Sequence, residues 1–227
     1  MMRVRNFFAG MMVAQGDADV ALSGLTTYYP ETIRPALQTI GVKAGVKKVS
    51  GLYVLILQDR VFFFADTTVN IEPTAEDLAE IALLSADTAK LFGIQPRVAM
   101  ISFSNFGSTE HPVTNKVREA VKLVKQRRPD LECDGEMQAD TAVLPEFLKE
   151  NYPWTDLKGP ANVLVFPELQ SANAAYKLVW RLAKADAIGP ILMGMGKPVH
   201  VLQRGVEVAD IVNMAAFGVV DAQARES

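Results

Sequence analysis

Between Gly189 and Ala216 the chain reads GPILMGMGKPVHVLQRGVEVADIVNMAA, and these residue types suit an anionic ligand. A short apolar strand, Ile191-Leu192-Met193, is followed by Gly194 and Gly196. A basic, turn-rich loop comes next, with Lys197-Pro198, His200 and Gln203-Arg204-Gly205. Val208, Ile211, Val212, Ala215, Ala216 and Val219 then recur at helical spacing. Strand, glycine-rich loop with a cation, and helix is how α/β proteins set backbone N–H groups against anions at strand ends. Asp210, in the first turn of that helix, has the chemistry of a general base and also of a favourable N-terminal charge. Arg34, Lys177 and Arg204 each lie at the boundary of a loop with a strand or helix. Strand ends converge in an α/β sheet, so the three could line one anionic pocket; singly, each is an ordinary surface charge.

Other reactive types are more dispersed. Ser102, Ser104 and Ser108 follow a strand and precede a helix in ISFSNFGS, where hydroxyls cradle an anion or cap the helix. Asp134, Glu136 and Gln138 alternate along a strand and so share one face. That pair of acids fits an acid–base couple, or a solvated or capping edge. His111 and His200 are far apart and neither has a partner at ligand spacing, so no metal site is expected. Cys133, the single cysteine, reads as a buried inert thiol. Lys125, Arg127 and Arg128 read as a solvated helix end, favourable to the dipole.

The elements that must position these residues follow from periodicity. Arg3 to Gln15 reads as a helix stopped by Gly16, Ala18 to Ser23 as a buried strand, and Glu31 to Ile40 as a helix. An α/β unit seldom opens on a helix, so the first helix reads as the continuation of something earlier. Gly51 to Asp59 and Val61 to Thr67 form an apolar hairpin, and a helix capped at Thr74 runs to Phe92. From Arg97 strands (98–102, 131–138, 163–166) alternate with helices (117–128, 141–150, 171–185). This pattern predicts an α/β fold with a mostly parallel sheet covered by helices. Chain crossovers between two parts are expected at Val42 to Ser50 and at Asp186 to Pro190.

The 227 residues suffice for one large or two small domains with a real core. Net charge of -3 argues against a nucleic-acid partner. No apolar run approaches the ~20 residues that span a bilayer, and the N-terminal stretch lacks a cleavage site, so no membrane association is expected. One cysteine excludes an internal disulfide framework and fits the cytoplasm.

The segments ADVALSG, TIRPALQ, MISFSNFGS, DGEMQAD, ANVLVFPELQSANAAYKLV, AIGPIL and RGVEVADIVNMAA together resemble the phosphate acetyl/butyryl transferase family. They cover nearly the whole chain in family order and correspond to about the last two thirds of such a domain. The resemblance implies two α/β subdomains with a cleft between them, the N-terminal part of the first being missing. Residues 1–46 and 189–227 would then form the partial first subdomain, and 47–188 the second. It also implies acetyl transfer between coenzyme A and phosphate. Asp210 matches the aspartate that deprotonates the thiol, and Arg204 the arginine that polarises the carbonyl. Arg34 and Lys177 match the phosphate ligands. Ser104 and Asn173 complete the implied acetyl-CoA contacts with Tyr29 and Gln203.

Two positions depart from the family wording. Gln203 replaces the serine before the arginine, and Tyr29 replaces a small hydroxyl residue five places before Arg34. Losing a positioned donor costs roughly 10²–10³ in rate. The phrases YYPETIRPALQ, SFSNFGS and KPVHVLQRG further resemble the C-terminal phosphotransacetylase-like domain of bacterial NADP-dependent malic enzymes. That implies a cytoplasmic, dimer-forming domain which binds acetyl-CoA as an allosteric inhibitor of malate decarboxylation. NADP and a divalent metal would belong to malic enzyme domains of the same chain, outside this sequence. The alternative is an active phosphate acetyltransferase.

Overall fold

The computed structural model describes residues 4–226. In chain order the elements are α1 (Arg5–Gln15), β1 (Ala21–Ser23), α2 (Tyr29–Thr39), β2 (Ser50–Leu57), β3 (Arg60–Ala65) and α3 (Ala75–Leu91). β4 (Arg97–Ile101), α4 (Pro112–Arg127), β5 (Glu132–Met137), α5 (Ala139–Val143) and α6 (Pro145–Asn151) follow. β6 (Val163–Val165), α7 (Leu169–Leu182), β7 (Asp186–Met193), β8 (Val199–Val201) and α8 (Val208–Glu226) complete the chain. The fold is α/β with mostly parallel pairing, as alternation of strand and helix predicts.

The chain forms two compact units. One is built from residues up to Gly51 together with those from Ala187 onward, the other from Leu52–Asp186. In the larger unit five strands lie in the order β5-β4-β6-β3-β2. β2 and β3 pair antiparallel, Leu52 opposite Ala65 through Leu57 opposite Arg60, which is the hairpin expected from the two apolar runs. All other pairings among these strands are parallel. The β-strands contribute an almost dry layer: Val54, Phe63, Val98, Met100 and Val163 are fully buried. α3 turns Leu78, Ala82, Ala86 and Ala89 inward at helical spacing. Its start is fixed by a capping box in which the Asp77 N–H donates to Thr74 Oγ1 and the Thr74 N–H to Asp77 Oδ2.

In the smaller unit β1 and β8 pair parallel, Ala21 opposite Val199 and Ser23 opposite Val201. α1 closes with Gly16 in the left-handed region, and Lys197 Nζ donates to the Val13 and Ala14 carbonyls at 2.9 and 3.0 Å. The expectation of a basic loop from Lys197 to Gly205 is therefore corrected. Lys197 is a helix C-cap, and Val199–Val201 is a buried strand whose His200 is 1% exposed. Two further expectations change. The helix expected over 141–150 is two short helices, because Pro145 cannot continue the first and starts the second. The first strand covers Ala21–Ser23, three residues fewer than its apolar composition implied.

Candidate functional site

In the smaller unit both parallel strands end on the same side, and each runs through a short loop into a helix N-terminus. β1 leads to α2 at Tyr29, and β8 leads to α8 at Val208. The loops approach closely beyond the strand ends. The Leu202 N–H donates to the Ser23 carbonyl at 2.8 Å, and Gly24 has φ +128°. A methyl group at Gly24 would overlap the Leu202 carbonyl, so only glycine fits there. Arg204 lies with its guanidinium carbon 4.3 Å from the centre of the Tyr28 ring. That stacking is worth about 0.5–1 kcal/mol at an exposed site.

Both helix starts carry an acid that reaches back to the chain. The Tyr28 N–H donates to Glu31 Oε2 at 3.0 Å, and the Glu207 N–H donates to Asp210 Oδ2 at 2.8 Å. Each pairing satisfies one of the amide groups that a helix start leaves open. Asp210 thus spends one carboxylate oxygen on the first turn of α8. α2 is further steadied by Asn6, which donates to the Glu31 carbonyl and accepts from the Ser23 hydroxyl. The side chains of Arg34, on the exposed side of α2, and of Gln203, in the β8–α8 loop, make no hydrogen bond or ion pair with any described residue. Tyr29 is the first residue of α2. The smaller unit therefore gathers Tyr29, Arg204 and Asp210 around the ends of β1 and β8, with Arg34 on the same α2.

Sequence reading missed Tyr28. It is 64% exposed and lies under Arg204, whereas the family wording points to its neighbour Tyr29. The signal was the doubled tyrosine before Pro30, but only the packing distinguishes the two.

In the larger unit the carboxyl ends of β4 and β5 meet a buried carboxylate. Glu136 is 0% exposed; its Oε1 accepts from the Ser104 hydroxyl at 2.9 Å and from the Gly107 N–H at 2.8 Å. Arg118 Nε stands 3.5 Å from Oε2. Ser104 is itself 0% exposed, and its hydroxyl accepts from the Thr109 N–H at 3.0 Å. Ser104 therefore shapes the loop around Glu136 from beneath. The expected solvated or capping edge at Asp134 and Glu136 is corrected as well, since both are buried. Asp134 accepts from Lys125, the Thr155 hydroxyl and the Asp156 N–H at 3.0, 2.8 and 2.8 Å. Lys125 also pairs with Asp156 at 2.6 Å, so it is not a free helix-end charge. Burial opposes its charge, but Asp156 and Asp134 outweigh that and raise its pKa. Cys133 beside them is pushed up to about 12, by burial first and the Asp134 charge second, which makes it an unreactive thiol.

Asn173 and Lys177 lie four apart on α7 and so share a face. The Asn173 amide donates to the Thr67 carbonyl at 3.2 Å, which ties α7 to the loop after β3. Lys177 Nζ sits 5.2 Å from the Tyr176 ring centre and remains exposed. α7 is capped by Glu168, which accepts from the Gln170 and Ser171 N–H groups at 2.7 Å each. Burial works against the Glu168 charge, but those bonds hold its pKa below the ordinary value. Lys116 donates to the Pro167 carbonyl next to it, and burial lowers its pKa against the pull of Glu168 and Glu72. Among the described residues no group of three or more His, Cys, Asp or Glu side chains is placed to hold a metal ion. No helix among them is long and apolar enough to cross a membrane.

Residues 1–219 match the family model described as phosphate acetyl/butaryl transferase. The chain is 46% identical over 210 residues to a phosphate acetyltransferase of Bacillus subtilis, covering 92% of this chain and 65% of that protein. It is 42% identical over 217 residues to an NADP-dependent malic enzyme of Escherichia coli, covering 95% of this chain and 28% of that protein. A solved phosphotransacetylase from Streptococcus pyogenes superposes with a TM-score of 0.91 at 45% identity, over 98% of this chain and 68% of that one. The chain thus spans about two thirds of the acetyltransferases and under a third of the malic enzyme.

Proposed function

This chain belongs to the phosphate acetyl/butaryl transferase family, and from that premise we propose that it serves acetyl transfer between coenzyme A and phosphate. The observation that carries the reading is the paired strand ends of the smaller unit. There Arg204 and Asp210 occupy one loop-to-helix segment, and the side chains of Gln203, Arg204 and Arg34 hydrogen-bond to no described residue. The thiol of coenzyme A gives its proton to Asp210, and the thiolate attacks the carbonyl carbon of acetyl phosphate. The carbon–sulfur bond forms, the carbon–oxygen bond to phosphorus breaks, and phosphate leaves. Arg204 stabilises charge on the carbonyl oxygen, and Arg34 holds the phosphate, a role that the family wording also gives to Lys177. The family wording adds Asn173 to the acetyl-CoA contacts, and Ser104 fixes the loop around Glu136 in its own unit.

A second reading is favoured by Gln203 together with the likeness to a malic enzyme. In it the same residues bind acetyl-CoA without turnover, and the domain is the regulatory, oligomer-forming part of an NADP-dependent malic enzyme. A cleft that binds but does not react converts ligand affinity into a shifted conformational equilibrium. Either reading places the protein in the cytoplasm, in keeping with its single buried cysteine.

Thioester formation from acetyl phosphate and coenzyme A separates the two. The first reading expects turnover in the wild type and a loss of about 10²–10³ in Arg204→Ala, with Asp210→Asn similarly impaired. Acetyl-CoA binding by calorimetry with no thioester formed overturns it in favour of the second.

A further inference from the structure

His200 sits in the middle of β8 at 1% exposure, flanked by Val199 and Val201 at 3% and 1%. Helix α8 packs there with Met214 at 0% and Phe217 at 6% exposure. The Phe217 ring meets the imidazole edge-on at 5.0 Å between centres. An apolar side chain would fill such a place without loss, whereas the imidazole leaves Nδ1 with no hydrogen-bond partner among the described residues. An unpaired buried polar atom is destabilising, so packing alone gives no reason for a histidine here.

What the imidazole does make is a link between two elements. Nε2 stands 3.2 Å from Asp221 Oδ2, within ion-pair range though not aligned as a full hydrogen bond. Asp221 in turn accepts from Arg225 Nε at 2.8 Å and Nη2 at 3.1 Å. Arg225 Nη1 donates to the Met195 carbonyl at 2.8 Å, just before β8. Four residues thus fasten β8 and its approach to the C-terminal half of α8. The other ends of the same two elements carry Arg204, just past β8, and Asp210, roughly three turns up α8 from Asp221. At those ends the ties are sparse: the Glu207–Asp210 bond and the stacking of Arg204 on Tyr28.

We propose that His200 is a positioning residue that sets the register of α8 against β8 and so fixes Asp210 relative to Arg204. This rests on the reading of Arg204 and Asp210 as site residues, but its structural half stands apart from turnover. His200→Phe keeps the ring and the contact with Phe217 and removes the link to Asp221. His200→Gln places an amide nitrogen where Nε2 was. The wild type and both variants are compared by thermal melting, by hydrogen exchange along the chain, and by acetyl transfer.

His200→Phe is expected to melt as one cooperative transition near the wild type, while exchange over residues 203–212 speeds up about tenfold or more. In acetyl transfer kcat falls about tenfold to a hundredfold, as a small misplacement of reacting groups does, with KM for coenzyme A little changed. His200→Gln recovers most of both effects. Unchanged exchange over 203–212 in His200→Phe overturns the proposal, and so does faster exchange spread evenly over the chain. If His200→Phe does not fold, Asp221→Asn is measured in its place, and the same local result supports the proposal while unchanged exchange there overturns it. A wild type without acetyl transfer refutes the proposed activity, and the exchange comparison still decides the role of His200.

Discussion

Gln203 is the residue on which the activity turns. It precedes Arg204 in the β8–α8 loop, bonded to no other described side chain, where the family wording has serine. Its amide can donate, but it is longer than a serine hydroxyl and reaches a different point. Gln203→Ser is expected to raise kcat for thioester formation roughly tenfold or more; an unchanged or lower rate in steady-state assay would show that the glutamine is not the limiting group. Cys133 yields a second expectation. Its thiol is buried and ionises only at about 12, so a disulfide reagent at neutral pH should label it only as fast as the chain unfolds. At this scale the sequence was informative about residue type and blind to pairing. Arg204 and Asp210 were legible from the loop-to-helix pattern, but the shelf under Arg204 is Tyr28, and two adjacent tyrosines cannot be told apart without packing. Glu136 shared a strand with Asp134, which suggested an exposed pair. Nothing in DGEM announces that Ser104 and Gly107, far away in the chain, close over it.

The elements follow their local chemistry wherever caps and breakers are strong. Thr74 with Asp77 begins α3, and Pro145 divides what periodicity alone read as one helix. β8 was hidden because three residues between Pro198 and a polar loop give too short an apolar run to register as a strand. Gly24→Ala puts a methyl group into the Leu202 carbonyl at a left-handed backbone position. The cost is expected to be roughly 1–3 kcal/mol in denaturant melts, with weaker acetyl-CoA binding because β1 and β8 separate. Glu168→Ala removes the acceptor for two N–H groups at the start of α7. It should cost about 0.5–2 kcal/mol and speed exchange at Gln170 and Ser171, leaving the smaller unit unaffected.

For the molecule as a whole, acid and alkali act through different groups. Asp221 is held low because His200 and Arg225 overcome its burial, and Glu168 because of its helix-cap bonds. A carboxylate whose folded pKa lies below its unfolded value contributes stability above that unfolded value, here 3.8 and 4.5. That contribution disappears as pH falls through the folded values. Cys133 has the opposite sign: its share is complete below 9.0 and is lost as pH rises toward about 12. Melting temperature is therefore expected to be level between these limits and to fall on both sides, and a steady rise into acid would contradict it. The sheet order of the larger unit has a consequence for how the protein is made. β6 lies between β3 and β4, yet it is the last of the five strands to leave the ribosome. Until it arrives, Phe63 and Met100 belong to strands with an unfilled seat between them. A nascent chain in that condition exposes apolar edges that can pair wrongly, so stalled synthesis before Val163 should leave a species that chaperones retain and full-length chain does not.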